Sequence, residues 1–141
     1  MDEELTCLEL PAELSSLKRL TEFVRRGARD AALSESELDR LDLIMEEILV
    51  NVMRHAYPEG SQGAVKVGYA VHGPKILFVQ VSDSGREFDP LAKAPPDLEL
   101  SLAERPIGGL GVFLVKQLAR SIEYHRVENR NILSFRLGAN A

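Results

Sequence analysis

Three polar side chains recur at four-residue intervals near the middle of the chain: Glu47, Asn51 and His55. In an α-helix, residues four apart lie on one face, so these three would form a single polar track. The amide oxygen of Asn51 is a hard ligand of the kind that Mg²⁺ accepts beside water and phosphate oxygens. A carboxylate one turn earlier, at Glu47, could accept a proton from an attacking hydroxyl or water. An ordinary helix that carries three polar residues on one face is the open alternative.

A carboxylate ends an apolar strand further along the chain. Asp83 continues the period-two pattern of Leu77, Val79 and Val81, so it should point to the same apolar side of a sheet. A carboxylate there is costly unless it is hydrogen-bonded, and it could accept from the exocyclic amine of adenine. Gly85 would leave room for a flat base to approach. A simple turn is the alternative, because Asp, Ser and Gly dominate turns.

Three glycines, Gly108, Gly109 and Gly111, stand where a long loop meets a predicted helix. Backbone amides can approach a phosphate at such a place, and the helix N-terminus adds a favourable partial charge. Neither the Walker spacing nor the strand–glycine–helix order of a Rossmann unit fits, and a flexible hinge is the alternative. The loop before them, residues 91–107, is predicted to cover phosphates as a lid. Its Arg105 could reach a terminal phosphate or be a solvated charge.

The elements that must position these residues follow in the order β-α-α-β-β-loop-α-β-β. A first helix is predicted from about Pro11 to Gly27, and the capping signature Ser34-x-x-Glu37 opens a second that runs to about Tyr57. Periodicity and turn residues predict strands over residues 4–10, 65–71, 75–83, 122–128 and 132–137, and a third main helix from about residue 110. Helices grouped apart from hairpin strands indicate an α+β layered sandwich, not a doubly wound parallel sheet.

Composition sets outer limits on partners and location. A chain of 141 residues is expected to form one domain. Its net charge of −5 argues against nucleic acid or an anionic membrane as the main partner, although a bound divalent cation would still allow a nucleotide. A single cysteine excludes an intrachain disulfide, and the sequence shows neither a signal-peptide pattern nor a membrane-length apolar run. We therefore expect a cytoplasmic protein.

Taken in order, the three motifs resemble the nucleotide site of the GHKL ATP-binding superfamily, which includes gyrase, the heat-shock chaperone ATPases, histidine kinases and the anti-sigma-factor serine kinases. The short chain and the string His55-Ala56-Tyr57 make it most similar to the last of these. The resemblance implies a single histidine-kinase-like ATPase domain over residues 1–141. It also implies a two-layer, Bergerat-type sandwich with a mixed, mostly antiparallel sheet and helices on one face. ATP with Mg²⁺ would lie between the helical layer and the lid.

The resemblance also implies roles for individual residues. Glu47 would be the general base, Asn51 the magnesium ligand and Asp83 the adenine acceptor. The late Gly-Thr of other members is replaced near residues 129–131, so no late contact is assigned. The full cofactor-binding set implied is Asn51, His55, Asp83, Gly85, Phe88, Arg105, Gly108, Gly109, Leu110, Gly111 and Val112.

The function implied is that of a protein serine/threonine kinase. It would phosphorylate a STAS-domain anti-anti-sigma protein and sequester a sigma factor, with a homodimer left open and without direct contact to nucleic acid or membrane. One alternative is a regulatory ATP-binding module that grips a partner without transferring phosphate. The other is a detached histidine-kinase catalytic domain that acts on another chain.

Overall fold

Two helices cover one face of a five-stranded sheet in the computed structural model, which describes residues 4–58, 62–92 and 115–138. Short 3₁₀ turns occupy Leu14–Ser16 and Pro90–Ala92, and residues 115–118 are helical. The elements in chain order are β1 (Thr6–Pro11), α1 (Leu17–Asp30), α2 (Glu35–His55), β2 (Ala64–Val71), β3 (Ile76–Asp83), β4 (Ser121–Val127) and β5 (Arg130–Gly138).

The strands lie in the order β1-β2-β3-β5-β4, and each neighbouring pair is antiparallel. A mixed, mostly antiparallel sheet was expected. The described part of the sheet contains antiparallel pairs and no parallel pair. The register between β3 and β5 sets Asp83 directly opposite Asn131, at the end of one strand and near the start of the other. Residues far apart in sequence thus meet at one edge of the sandwich.

The core lies between the helices and one face of the sheet. Because strand side chains alternate between faces, most residues on the inner face of β2, β3 and β5 are apolar and buried against the helices. Each such side chain contributes about 1.5–3 kcal/mol through burial. The strand residues are Val65, Val67, Leu77, Val79, Val81, Leu133, Phe135 and Leu137, and the helices add Leu20, Val24, Leu41, Ile44, Met45 and Leu49. This arrangement confirms the predicted α+β two-layer sandwich.

Helix boundaries agree with the sequence at α2 and differ at α1. Ser34 Oγ accepts a hydrogen bond from Glu37 N at 3.3 Å, which confirms the predicted N-terminal cap of α2. Helix α1 begins six residues after Pro11, because Pro11 belongs to β1 and a 3₁₀ turn follows it. It also continues past Gly27, where a Cβ atom would collide with the ring of Tyr69. Glycine at that position reflects close helix–sheet packing and not a helix end.

The last two strands form a hairpin with a two-residue turn. Glu128 and Asn129 both have positive φ, 49° and 66°, which is the conformation of a type I′ turn. Val127 pairs with Arg130 on either side of it. Among the described residues, no helix is both long and apolar enough to cross a membrane.

Candidate functional site

A pocket opens between α2, the end of β3 and the inner face of β4 and β5. Its volume is about 560 Å³ including the open mouth. A mostly apolar lining with a few convergent polar groups is typical of such sites. The polar groups are Asn51, Asp83, Tyr124 and Asn131, and the other lining residues are Ile48, Val52, Ala56, Val81, Phe88, Pro90, Leu91, Val115, Ile122 and Leu133.

Asp83 lies at the sheet side of this pocket and is only 7% exposed. Its Oδ1 accepts hydrogen bonds from Gly85 N and Asn131 Nδ2, both at 2.9 Å. Within the described ranges no donor reaches Oδ2. A ligand that offers an N–H donor in this pocket could therefore bond to Oδ2, and the exocyclic amine of adenine is such a donor.

Asn131 holds that carboxylate and was missed as a site residue from the sequence. Its Oδ1 accepts from the Tyr124 hydroxyl at 2.5 Å, from Arg126 Nη1 at 3.1 Å and from Phe88 N at 3.3 Å. Its second Nδ2 proton is donated to Arg86 O at 2.7 Å. We call Asn131, Tyr124 and Arg126 the Asn131 cluster. Burial, the largest influence, raises the pKa of the Tyr124 hydroxyl, so this group stays a donor at neutral pH.

Asn51 faces the pocket from the helical layer and is 6% exposed. Its side chain makes no hydrogen bond to another described residue. Among the described residues, Glu37 Oε2 is the only side-chain N or O atom that is fully buried without a hydrogen-bond partner, so the Asn51 amide is accessible from the pocket and can bond to water or a ligand there. No group of three or more His, Cys, Asp or Glu side chains suited to a metal occurs in the described ranges. A cation here would therefore need phosphate and water oxygens beside the Asn51 amide, which fits Mg²⁺.

Glu47 precedes Asn51 by one helical turn and is half-buried, outside the described pocket lining. Burial raises the pKa of its carboxyl, and the negative charge of Glu46 raises it further, whereas the positive charge of Arg54 lowers it. Glu46 and Arg54 themselves are exposed. A carboxylate with a raised pKa is a stronger proton acceptor, which suits a general base.

The loop after β3 is tied to the C-terminal end of α2. Arg86 donates from its backbone N to Ala56 O at 2.8 Å and from Nε to His55 O at 2.6 Å. The His55 ring stacks on Phe88 with centroids 4.8 Å apart. A Cβ atom at Gly85 would collide with the carbonyl of Ala56, so this close approach explains the glycine without any bound base. His55 thus holds the loop through its carbonyl and its ring.

Tyr57 provides a second tie for the same loop. Its hydroxyl donates to Ala64 O at 2.5 Å and accepts from Ser84 N at 3.0 Å. A Cβ atom at Gly63 would collide with the Tyr57 ring, so glycine is needed for the ring to lie there. Tyr57, two residues after the end of α2, therefore links Ser84, the residue next to Asp83, to the first residue of β2.

The structure brings five of the predicted site residues to one region: Asn51, His55, Asp83, Gly85 and Phe88. The other members of the predicted set lie outside the described residues, as does most of the predicted lid. The first two lid positions, 91 and 92, belong to the 3₁₀ turn Pro90–Ala92. The residues outside the described ranges are Arg105, Gly108, Gly109, Leu110, Gly111 and Val112.

This fold and pocket define a known class: residues 10–137 match the histidine kinase-like ATPase domain, and the chain belongs to that family. The chain is 30% identical over 139 residues to the serine-protein kinase RsbW of Listeria monocytogenes, covering 94% of this chain and 86% of the relative. It is 27% identical over 94 residues to the serine/threonine-protein kinase BtrW of Bordetella bronchiseptica, covering 67% and 66%. The GHKL resemblance is confirmed.

Solved structures agree on the fold. The RsbU and RsbW domains of a Mycobacterium tuberculosis protein superpose with a TM-score of 0.64 at 12% identity, covering 99% of this chain and 33% of that longer chain. The mycobacterial sensor histidine kinase MprB gives a TM-score of 0.51 at 18% identity, covering 93% and 97%. At these identities the likeness concerns the fold alone.

Proposed function

We propose that this protein is an ATP-dependent serine/threonine protein kinase and anti-sigma factor. It transfers phosphate to a serine or threonine of a STAS-type anti-anti-sigma protein and sequesters a sigma factor. The observation that carries the proposal is the meeting of Asp83 and the unbonded amide of Asn51 in one pocket, with Glu47 one turn away. The similarity to serine-protein kinases named RsbW supports the substrate class.

In this proposal each residue has a separate task. Asp83 accepts the adenine amine through Oδ2, and the apolar lining excludes water from the flat base. Asn51 contributes one oxygen to Mg²⁺. When Mg-ATP is bound, ATP supplies the phosphoryl group and the metal ion supplies the positive charge that neutralises the phosphates. Glu47 takes the proton of the attacking hydroxyl onto its carboxylate, and its raised pKa favours that transfer.

Nucleotide binding is tested by titrating the protein with Mg-ATP and Mg-GTP. ATP should bind more tightly, because guanine presents a carbonyl where Asp83 requires a donor. Asp83→Asn should weaken ATP binding by at least about tenfold, since the amide can turn its own donor toward the base. Asp39→Asn, an exposed carboxylate of the same helix as Asn51, is the matched control and should bind like the wild type. Equal affinity for ATP and GTP in the wild type would contradict the adenine assignment.

Phosphoryl transfer is tested with γ-labelled ATP and the purified STAS-domain proteins and sigma factors of the same genome. The label should appear on a serine or threonine of one STAS protein, and one sigma factor should co-elute with the kinase. ATP binding without transfer to any STAS protein would favour the regulatory module instead. Label on a histidine of another chain would favour the detached histidine-kinase domain.

A further inference from the structure

The orientation of the Asn131 amide is fixed by its partners. Three donors surround Oδ1, while Nδ2 faces two acceptors, Asp83 Oδ1 and Arg86 O. Turning the amide over would set its N–H groups against Phe88 N and Arg126 Nη1 and its oxygen against two acceptors, at the cost of four of these five bonds, since only the Tyr124 hydroxyl could accept instead. Nδ2 must therefore donate to Asp83.

Arg126 holds both residues that donate to Asp83. Its Nη1 donates to Gly85 O at 2.8 Å and to Asn131 Oδ1 at 3.1 Å. The N–H groups that Asp83 Oδ1 accepts come from these same two residues. Arg126 does not line the pocket, so any influence on a ligand must pass through them.

We propose that Asn131, held by Arg126 and Tyr124, determines the nucleotide specificity of the pocket by fixing the rotation of the Asp83 carboxylate. The inference rests on the proposed function and deepens it. With both donors on Oδ1, the carboxylate is held in one rotation, and Oδ2 is the oxygen that bonds to no described donor. A fixed acceptor rewards the adenine amine and penalises the guanine carbonyl. Without the cluster the carboxylate still offers acceptors, but they are no longer held in one position, so the distinction between the two bases weakens.

The first test compares ATP and GTP affinities in Asn131→Leu and Arg126→Met. We expect the ratio of ATP to GTP affinity to fall by about tenfold in both variants, the size expected for losing hydrogen bonds to a charged group. Arg19→Met, an exposed arginine on α1, is the control and should keep the wild-type ratio. Equal weakening of both nucleotides, with the ratio unchanged, would show that the cluster is merely structural and would overturn the proposal.

The second test needs no nucleotide. The Gly85 N–H bonds to Asp83 Oδ1, so its hydrogen exchange reports whether the carboxylate is held. In both variants Gly85 should exchange about tenfold faster, since one hydrogen bond to a charged group protects it, while Val79 within β3 should be unchanged. Unchanged exchange at Gly85 would overturn the proposal whatever the nucleotides do. A wild type that binds neither nucleotide would instead refute the proposed function, and the specificity role with it.

Discussion

The two polar sides of the pocket are held in opposite ways. At the sheet side, five hydrogen bonds fix the Asn131 amide, and through it the Asp83 carboxylate. At the helix side, the buried amide of Asn51 makes no hydrogen bond to any described residue. The first side is organised by long-range strand pairing before a ligand arrives. The second is open to the pocket, where water or a ligand can bond to it.

The largest effect is expected on phosphoryl transfer when Glu47, on the helix side of the pocket, is changed. Glu47→Gln should lower phosphoryl transfer by about 10²–10⁴-fold, because the amide cannot accept the hydroxyl proton. ATP affinity should change little, since the base acts on the attacking group. Rapid-quench transfer assays and nucleotide titration measure the two quantities. Glu46→Gln, a substitution of the exposed neighbour, is the control. Full turnover in Glu47→Gln would show that Glu47 is not the general base.

A matched pair of variants tests whether the two sides of the pocket are held differently. Asn131→Leu should destabilise the protein by about 2–4 kcal/mol, because it removes five hydrogen bonds and leaves the Asp83 carboxylate with Gly85 N as its one described donor. Asn51→Leu should change stability by less than about 1 kcal/mol or raise it, since an unbonded buried amide is replaced by an apolar group. Urea unfolding without nucleotide measures both. Similar losses in the two variants would show that the sides are held alike.

Asn51→Leu should also lose metal-dependent ATP binding. The same variant would then be as stable as the wild type but unable to bind Mg-ATP. Titration with and without Mg²⁺ checks this part, and unaltered magnesium dependence would exclude Asn51 as the ligand.

A smaller effect is expected when one hydroxyl that supports the sheet side of the pocket is removed. Tyr57→Phe removes the hydroxyl that joins Ala64 to Ser84 and should cost about 1 kcal/mol. It should weaken ATP binding a few-fold while the transfer rate at saturating ATP stays near that of the wild type. Tyr69→Phe is the control, because Tyr69 packs edge-on against Phe23 and its hydroxyl bonds to no described residue. A fall in the saturated rate would mean that Tyr57 also supports the helix side.

The smallest expected effect is a displacement of the pH–rate profile. Transfer needs ionised Glu47, so the rate should fall as the pH drops through the pKa of this carboxyl, which burial raises. Glu46→Gln removes a like charge, lowers that pKa and should move the acid limb to lower pH. Arg54→Met removes an opposite charge and should move it to higher pH. Displacement of both variants in the same direction would contradict the assignment of Glu47 as the base.

Periodicity predicted the parts of the site that depend on one element. The four-residue spacing placed Glu47, Asn51 and His55 on one track of α2, and the period of two placed Asp83 on the apolar face of β3. Each of these placements follows from the local geometry of one helix or strand, so it can be predicted from a single sequence. The five strands and the cap of α2 were predictable for the same reason.

Asn131 was missed because the start of the last strand was predicted too late in the chain. The last strand was predicted from residue 132, whereas β5 begins at Arg130. With the correct start, Asn131 shares the inner face with Leu133, Phe135 and Leu137, and a polar group at such a position draws attention. Its contact with Asp83 could not be read from the sequence, because it depends on which strands are neighbours. The sequence likewise contained no sign that Gly85 packs against Ala56.

The hairpin turn at Glu128 and Asn129 makes the pocket sensitive to chain length. Surface turns commonly accept an inserted residue, but a one-residue shift in register moves every side chain of a strand to the opposite face. An insertion here, with β5 in place, would turn Tyr124 and Arg126 outward and set Glu123 and His125 over the pocket. Asn131 would lose a hydroxyl and a guanidinium, because Val127 would take the place of Arg126 and His125 that of Tyr124. A length polymorphism in an exposed loop would thus act as a mutation of the binding site.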